Sequence, residues 1–290
     1  MSATALSDRR WRFAVWTFGG SPSAVLGLLL VAAFLLLAAF GPWIAPYPLD
    51  AVGATHLTHR LQPPSAENWF GTDEMGDDIF SRVVIGTRTS LWVGVTITGI
   101  AALIGVPLGL AAGLIGGRLR SLIMRVTDVF LAVPGLVLAL AIAAALGPGI
   151  LHGVVALAMV WWPGYVRLIE AKALTLRHEH YVEAARTMGA GAGWILFRHI
   201  LPNCFSVLVI KLSMDMGLAI LAAASLGFIG LGARPPAPEW GAMISVARSY
   251  MPDWWWYSFF PGLFIFATVL GFSLLGDGLR DMLDPRSARG

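Results

Sequence analysis

Long apolar runs constrain this chain more than any other feature. A helix needs about 20 predominantly apolar residues to cross the hydrocarbon core of a bilayer. Charged residues make up only 13% of the chain, against about 25% in soluble domains, so there is too little polar surface to cover a water-soluble globule. The sequence therefore predicts an all-α integral membrane protein. Six stretches are the expected transmembrane helices: 22–45, 90–115, 126–146, 151–169, 207–231 and 259–276.

Lysines and arginines predict how these helices are oriented, because positive residues are enriched in cytoplasmic loops. With a cytoplasmic N-terminus, most of the 20 lysines and arginines fall on the inner side. The exceptions are Arg60, Arg82, Arg88, Arg234 and Arg248. Both termini are therefore expected in the cytoplasm. The expected parts are a cytoplasmic segment 1–21, a first transmembrane helix 22–45, an external segment 46–87, a five-helix core 88–277 and a cytoplasmic tail 278–290.

The segment 181–203 is the least membrane-like long stretch in the second half of the chain. Its first residues favour a helix, and Gly189, Gly191 and Gly193 interrupt that helix. A second helix follows and is expected to stop at Pro202, since proline lacks a backbone N–H. The pattern predicts a helix, a turn of small residues and a second helix on the cytoplasmic side, between two spans.

Gly105, Gly109 and Gly113 lie four residues apart in the second predicted span. In a helix they share one face, and small residues let helices approach closely in lipid. We expect this face to pack tightly against another helix. The alternative is that it belongs to a moving helix that lines a pore. Pro107 is expected to interrupt the same helix.

Charged pairs occur at helical spacing in or beside two spans. An acidic residue within a membrane span indicates a functional site by default. Asp215 has Lys211 one turn away, however, and Asp128 has Arg125 three residues away. We interpret both as local ion pairs near a span end, which explains the charges without a transport role.

The external segment 46–87 is rich in acidic residues. Their spacing does not match the alternating oxygen ligands of an EF-hand calcium loop, so we expect a solvated cap over the membrane rather than a calcium site. The acidic residues are Asp50, Glu67, Asp73, Glu74, Asp77 and Asp78.

Several kinds of chemistry are not supported by any motif. The only lysines, Lys172 and Lys211, do not follow the glycine pattern of a phosphate-binding loop. A nucleophile elbow is absent, and a single cysteine, Cys204, excludes an internal disulfide. The run 178–180 (His-Glu-His) lacks the spacing that puts two histidine ligands on one helix face. No catalytic residue, cofactor site or metal site is therefore expected on this chain.

The 181–203 segment resembles the EAA signature of ABC importer permeases with the type I fold. The resemblance rests on Glu183, Ala184, Ala185, Gly189 and Pro202, with the glycine and proline at the spacing of that signature. His199 stands where the signature has an apolar residue, and this departure resembles the peptide/nickel branch of the family. The branch includes dipeptide and oligopeptide permeases of the DppC/OppC type.

Three other stretches resemble the same branch: 71–90, 227–241 and 276–285. Within the first of them, the branch commonly has an arginine where this chain has Asp77. The resemblance covers most of the chain from about residue 43 onward.

The resemblance implies a mechanism and partners. Such permeases pair with a second homologous permease, two cytosolic subunits that bind ATP and Mg²⁺, and an extracytoplasmic substrate-binding protein. The EAA loop would enter a cleft of one ATPase subunit and carry its closure into the bacterial inner membrane. The residues implied in this coupling are Glu183, Ala184, Ala185, Arg186, Gly189, Arg198, His199 and Pro202.

An ion-coupled secondary transporter that acts without an ATPase is the alternative function. It would be expected to have unpaired acids within the membrane, broken helices and an internal repeat. The sequence offers acids with local partners and no visible repeat. An intramembrane enzyme is the remaining class, and no nucleophile–base pair supports it. The identity of the transported solute does not follow from the sequence.

Overall fold

The computed structural model describes residues 21–283, and this part of the chain is almost entirely helical. Its only β pairing is an isolated bridge between Thr72 and Asp78. The helices are α1 (Pro22–Ile44), α2 (Ile79–Ile115), α3 (Gly117–Leu131), α4 (Gly135–Leu146), α5 (Ile150–Leu176), α6 (His180–Thr187), α7 (Ala192–Ile195), α8 (Leu201–Phe228), α9 (Trp240–Ala247) and α10 (Trp255–Leu283). One-turn 3₁₀ helices occupy Pro48–Val52, Leu57–His59 and Arg248–Tyr250, and a π-helical turn (Leu196–Ile200) joins α7 to α8.

The all-α membrane architecture expected from the sequence is confirmed. Within the described residues, five helices are long and apolar enough to cross a membrane, or six spans if the bent pair of α3 and α4 counts as one. We call the face that carries residues 45–78 and 229–254 the outer face, and the face that carries 181–203 the inner face, after the predicted orientation. Most of the predicted segment 1–21 and the last seven residues of the tail lie outside the described residues.

The third predicted span, 126–146, is wrong as a single straight helix. The chain bends by 84° between α3 and α4. Pro134 precedes α4, and a proline both lacks an N–H and disfavours helical backbone in the residue before it. Hydropathy alone does not reveal such a bend, because the apolar run continues through it.

Proline does not end the other spans. α2 begins at Ile79, eleven residues before the predicted start of the span, and it passes through Pro107 without a break. α1, α5 and α10 likewise contain Pro42, Pro163 and Pro261. The expected interruption at Pro107 is therefore wrong, and the physical reason is that neighbouring helices in a membrane protein can satisfy the freed carbonyl groups.

Close backbone contact between α2 and α5 organises the bundle. A Cβ atom added at Gly105 would lie 2.6 Å from the carbonyl oxygen of Trp162, and one at Gly109 would lie 2.8 Å from that of Val166. At Gly113 it would lie 2.7 Å from the Cβ of Ala173. The three glycines therefore face α5 and leave no room for a side chain between the two helices.

The outer face is held together by α9 and the residues around it. Glu239 caps the N-terminus of α9, where its carboxylate accepts hydrogen bonds from the backbone N–H groups of Gly241 and Ala242 at 2.8 Å. Burial raises the pKa of Glu239, and these two bonds oppose the rise. The side chain of Trp240 is fully buried and donates to the carbonyl oxygen of Val83 at 3.0 Å. α9 is therefore packed into the bundle.

The expected solvated acidic cap is wrong for four of its acids. Asp50, Asp73, Asp77 and Asp78 are at most 3% exposed. Asp78 caps α2 and accepts hydrogen bonds from the backbone and side chain of Ser81. Burial raises the pKa of Asp73 to about 7, although the nearby Arg82 guanidinium lowers it. These acids support the fold of the external segment and do not form a solvated surface.

We predict that Gly109→Leu separates α2 from α5 and destabilises the protein by about 1–3 kcal/mol, the usual cost of overpacking. Thermal unfolding in detergent can be followed with a thiol-reactive dye, because the only cysteine, Cys204, is buried. Gly99→Leu is the matched control, since a Cβ at Gly99 has no atom within 4 Å. Equal melting temperatures for the two variants would contradict a packing role for Gly109.

Candidate functional site

The 181–203 segment forms a helical hairpin on the inner face. Val182 and Ala185 of α6 are buried, as are Ile195 and Ile200 of the second arm. Val182, Ile195 and Ile200 pack in one apolar cluster with Leu110, Ile169, Ala173, Leu176 and Cys204, which belong to α2, α5 and α8. The hairpin is therefore anchored on the inner ends of three spans.

Gly189 shapes the turn between the two arms. Its backbone is left-handed, with φ of +88°. Its N–H donates to the carbonyl oxygen of Arg186, and the N–H of Ala190 donates to that of Ala185, both at 3.0 Å. This pair of bonds is the Schellman arrangement that ends many helices. Glycine is thus needed here for its backbone conformation, while the space beside its Cα is open.

The second arm does not stop at Pro202 as expected. Pro202 occupies the first turn of α8, a position where a missing N–H is tolerated. The preceding π-helical turn (Leu196–Ile200) connects α7 to α8, so that Ala192–Phe228 crosses the membrane as one helical span. The side-chain amide of Asn203 donates to the carbonyl oxygen of His199 at 2.6 Å. The second arm of the hairpin and the fifth span are therefore one continuous helical element.

His199 joins the two arms. Its ring lies 5.5 Å from the ring of Tyr181 and 5.0 Å from that of Trp194, measured between centroids. Burial raises the pKa of the Tyr181 hydroxyl, and the negative charge of Glu179 raises it further. His199 thus fills the space between α6 and α7, and only part of its ring is exposed.

The polar residues singled out in the sequence lie on the outer surface of the hairpin. Glu183, Ala184, Arg186 and Arg198 are exposed. Neither arginine forms an ion pair with any residue in 21–283. Both guanidinium groups are available to carboxylates of another molecule.

An apolar surface on the hairpin was missed by the sequence interpretation. Met188 is 81% exposed, Phe197 69% and Trp194 54%. Met188 and Trp194 border a shallow depression of about 390 Å³, whose floor contains Gly189, Ala190 and Gly191. Exposed methionine and aromatic side chains around a small-residue floor are typical of protein-binding surfaces. In the sequence these residues appear as ordinary helix-forming apolar positions, so only their exposure distinguishes them.

A second feature lies on the side of the bundle, where Leu131 and Leu218 are about half exposed. A groove of about 450 Å³ opens beside the bend between α3 and α4, and Lys211 and Asp215 are the only charged residues that line it among residues 21–283. Lys211 Nζ lies 2.8 Å from Asp215 Oδ1, so the local ion pair expected from the sequence is confirmed. Asp215 stands in the middle of α8, however, and not near its end. Its Oδ2 atom is buried and has no hydrogen-bond partner among the described residues.

Lys211 also borders a second cavity of about 480 Å³ that lies toward the inner face and contains Lys172, Asn203 and Arg280. The side chain of Lys211 is one-third exposed, and its Nζ atom lies 5.7 Å from the ring centre of Tyr165. Lys211 therefore separates a groove within the membrane from a basic cavity near the inner face.

The prediction of an ion pair between Arg125 and Asp128 is wrong. Asp128 is bonded to Arg167 of α5, across the helix interface. The sequence spacing allowed a pair along α3, but the packing of α3 against α5 brings a more distant arginine to the carboxylate.

Comparisons with known proteins agree with this architecture. Residues 105–289 match the family model described as the binding-protein-dependent transport system inner membrane component, and residues 9–64 match the N-terminal transmembrane domain of oligopeptide transport permease C. A chain of the inward-facing MetNI methionine ABC transporter has a similar fold, with a TM-score of 0.58 and 18% identity over 70% of this chain and 96% of that one.

Curated relatives are similar over nearly their whole length. A probable D,D-dipeptide permease of Escherichia coli K12 is 47% identical, over 94% of this chain and 91% of the relative. A dipeptide permease of Alkalihalophilus pseudofirmus is 44% identical, over 98% of this chain and 91% of that relative. A glutathione permease of Pectobacterium atrosepticum is 45% identical, over 91% of this chain and 87% of that relative.

We predict that Gly189→Ala loosens the hairpin turn, because alanine in a left-handed conformation costs about 1–2 kcal/mol. Hydrogen exchange of the amides of residues 188–190 should accelerate by roughly tenfold, as that cost implies. Gly191→Ala is the control, since Gly191 has φ of −68°, which alanine adopts freely. Unchanged exchange in the first variant would show that the turn does not depend on glycine.

Proposed function

The chain belongs to the family of binding-protein-dependent transport system inner membrane components, and from this premise we propose that it is one permease subunit of an ATP-driven importer of dipeptides, oligopeptides or similar small solutes. As a member of this family with several apolar spans, it is a multi-pass protein of the bacterial inner membrane. The names of the relatives support the solute class, since they refer to D,D-dipeptides, dipeptides and glutathione.

The 181–203 hairpin is the proposed contact with a cytosolic ATPase. The observation that carries this assignment is the exposed apolar rim of Met188, Trp194 and Phe197. It is flanked by Arg186 and Arg198, neither of which forms an ion pair within the described part of the chain. The apolar rim would fill a cleft, and the arginines would bind acids at its edge. Glu183, Ala184 and Ala185 position the first arm, Gly189 the turn, and His199 and Pro202 the junction with α8.

Continuity between the hairpin and α8 suggests how movement reaches the pore. A force on α7 acts on one helical element that ends beyond Asp215. The groove and the basic cavity lie on either side of Lys211 along this helix. We assign the groove to the path of the solute, with Lys211 and Asp215 as its polar contacts. Gly105, Gly109 and Gly113, which face α5, serve helix packing in this proposal.

Family membership implies an ATPase and a substrate-binding protein as partners in general. The proposed assembly has a second homologous permease, two ATP-binding subunits and one extracytoplasmic binding protein. The chain itself would carry no catalytic residue and no cofactor of the transport cycle, and ATP with Mg²⁺ would be bound by the ATPase subunits. An ion-coupled transporter is disfavoured because Asp215 already has Lys211 as a partner.

We predict that proteoliposomes containing the full assembly take up a D,D-dipeptide, an L,L-dipeptide or glutathione only with ATP inside and the binding protein outside. Trp194→Ala should reduce uptake at least about tenfold, as expected for an aromatic anchor worth about 2 kcal/mol. Copurification of the ATPase should weaken as well. Trp69→Ala is the control, because Trp69 is similarly exposed but lies on the outer segment. Uptake by this chain alone with an ion gradient would establish the alternative function.

We predict that Lys211→Met lowers uptake strongly and lowers stability, since it leaves the carboxylate of Asp215 buried without its cation. The double variant Lys211→Met with Asp215→Leu should recover the melting temperature. If the pair contacts the solute, the double variant will keep a KM raised by at least about tenfold. Full recovery of both stability and uptake would show that the pair is only structural.

A further inference from the structure

A cluster of buried charges lies on the outer face, away from the hairpin and the groove. It joins the first external residues, the loop after them and the start of α2. Its members are Asp50, His56, Asp73, Asp77, Asp78 and Arg82, and we call it the outer acid cluster. All its carboxylates are at most 3% exposed.

Negative charge exceeds positive charge in this cluster. Arg82 Nη1 lies 3.1 Å from Asp73 Oδ2 and 2.8 Å from Asp77 Oδ2, and it is the only arginine or lysine that forms an ion pair there within residues 21–283. Asp78 is satisfied by neutral donors, namely Ser81 and the side chain of Asn68. One guanidinium thus faces several buried carboxylates, and a buried charge without compensation is costly.

Asp77 has an oxygen atom with no partner. Arg82 donates a hydrogen bond to Asp77 Oδ2. Asp77 Oδ1 is buried and accepts no hydrogen bond from any described residue. Position 77 is also where this chain has an acid in place of the arginine expected from the family resemblance. The chain therefore places an additional negative charge where that resemblance leads one to expect a positive one.

His56 lies beside the carboxylates of Asp77 and Asp50. Its Nε2 lies 3.3 Å from Asp50 Oδ1, and the other carboxylate oxygen of Asp50 accepts from the N–H of Asp78 at 2.7 Å. The backbone N–H of His56 donates a hydrogen bond to the carbonyl oxygen of Met75. The backbone of His56 also lies in close contact with Gly76, which helps to fix its position. The ligand atoms of Asp50, His56 and Asp77 all lie within 4.8 Å of one another.

We propose that Asp50, His56 and Asp77 bind a divalent transition-metal ion, with Zn²⁺ as the best match. One imidazole nitrogen and two carboxylate oxygens form the mixed ligand set that Zn²⁺ takes, whereas Ca²⁺ and Mg²⁺ prefer oxygen ligands alone. His56 Nε2 and Asp50 Oδ1, which share a hydrogen bond at 3.3 Å, already lie at about the separation of neighbouring ligands of a tetrahedral Zn²⁺.

The ion can reach this site without unfolding of the external segment. The side chain of His56 is half exposed. Asp77 also borders a cavity of about 360 Å³ on the outer face, which leaves room for a water molecule as the fourth ligand. A bound ion would neutralise two carboxylates and connect the residues after α1 to the N-terminus of α2.

The test is Zn²⁺ binding by the full-length chain in detergent, after removal of any affinity tag and of metal by EDTA. Titration calorimetry and elemental analysis should give one Zn²⁺ per chain, and Zn²⁺ should raise the melting temperature more than Mg²⁺ does. His56→Ala should weaken binding at least about tenfold, since even second-shell changes reach that size. His59→Ala is the control, because His59 is an exposed histidine in the same loop.

Asp77→Arg is a second variant that replaces the proposed ion by a fixed positive charge. It should keep the fold and lose the stabilisation by Zn²⁺. Two results would overturn the proposal: Zn²⁺ binding that is unchanged in both His56→Ala and Asp77→Arg, or binding that is lost in His180→Ala and retained in His56→Ala. The second result would assign the ion to residues 178–180 on the inner face.

Discussion

Contact between the backbones of α2 and α5 is the interaction on which the other parts depend. In lipid, apolar side chains gain little from leaving one apolar environment for another, so helix association relies on close packing. The glycines of α2 allow that approach along much of the interface. The same pair of helices then supports both faces, since α2 begins in the outer acid cluster and α5 leads directly into the hairpin.

The inner face carries the surface that we propose as the contact with another protein. One apolar cluster packs the hairpin against the spans, and methionine and aromatic side chains are exposed on the hairpin surface. Its second arm continues into the span that bears Lys211 and Asp215. In the proposed function, this anchored base, exposed apolar rim and continuous helix would pass a displacement from a cytosolic partner to the groove beside Lys211 and Asp215.

The sequence predicted the class of fold, because six apolar runs in a chain with few charges allow almost no other arrangement. It also located the helix–turn–helix of residues 181–203. It did not predict the bend at Pro134, since hydropathy measures the length of an apolar run and not its direction. It placed the acids of the external segment in solvent, because charged residues are seldom buried. The burial of Asp50 and Asp77 depends on contacts between distant segments, which no local pattern records. The exposure of Trp194 was missed for the same reason.

The π-helical turn at Leu196–Ile200 has a consequence for how such chains can vary. It holds one residue more than an α-helical turn within about the same full rotation, so it accommodates an extra residue without turning α7 relative to α8. Removal of one residue here would convert the turn to an α-helical one and leave the apolar rim facing as it does now. Removal of one residue from the regular part of α8 would instead rotate everything before it by about 100°. The π-helical turn is therefore the position in this arm where a one-residue deletion should be tolerated best.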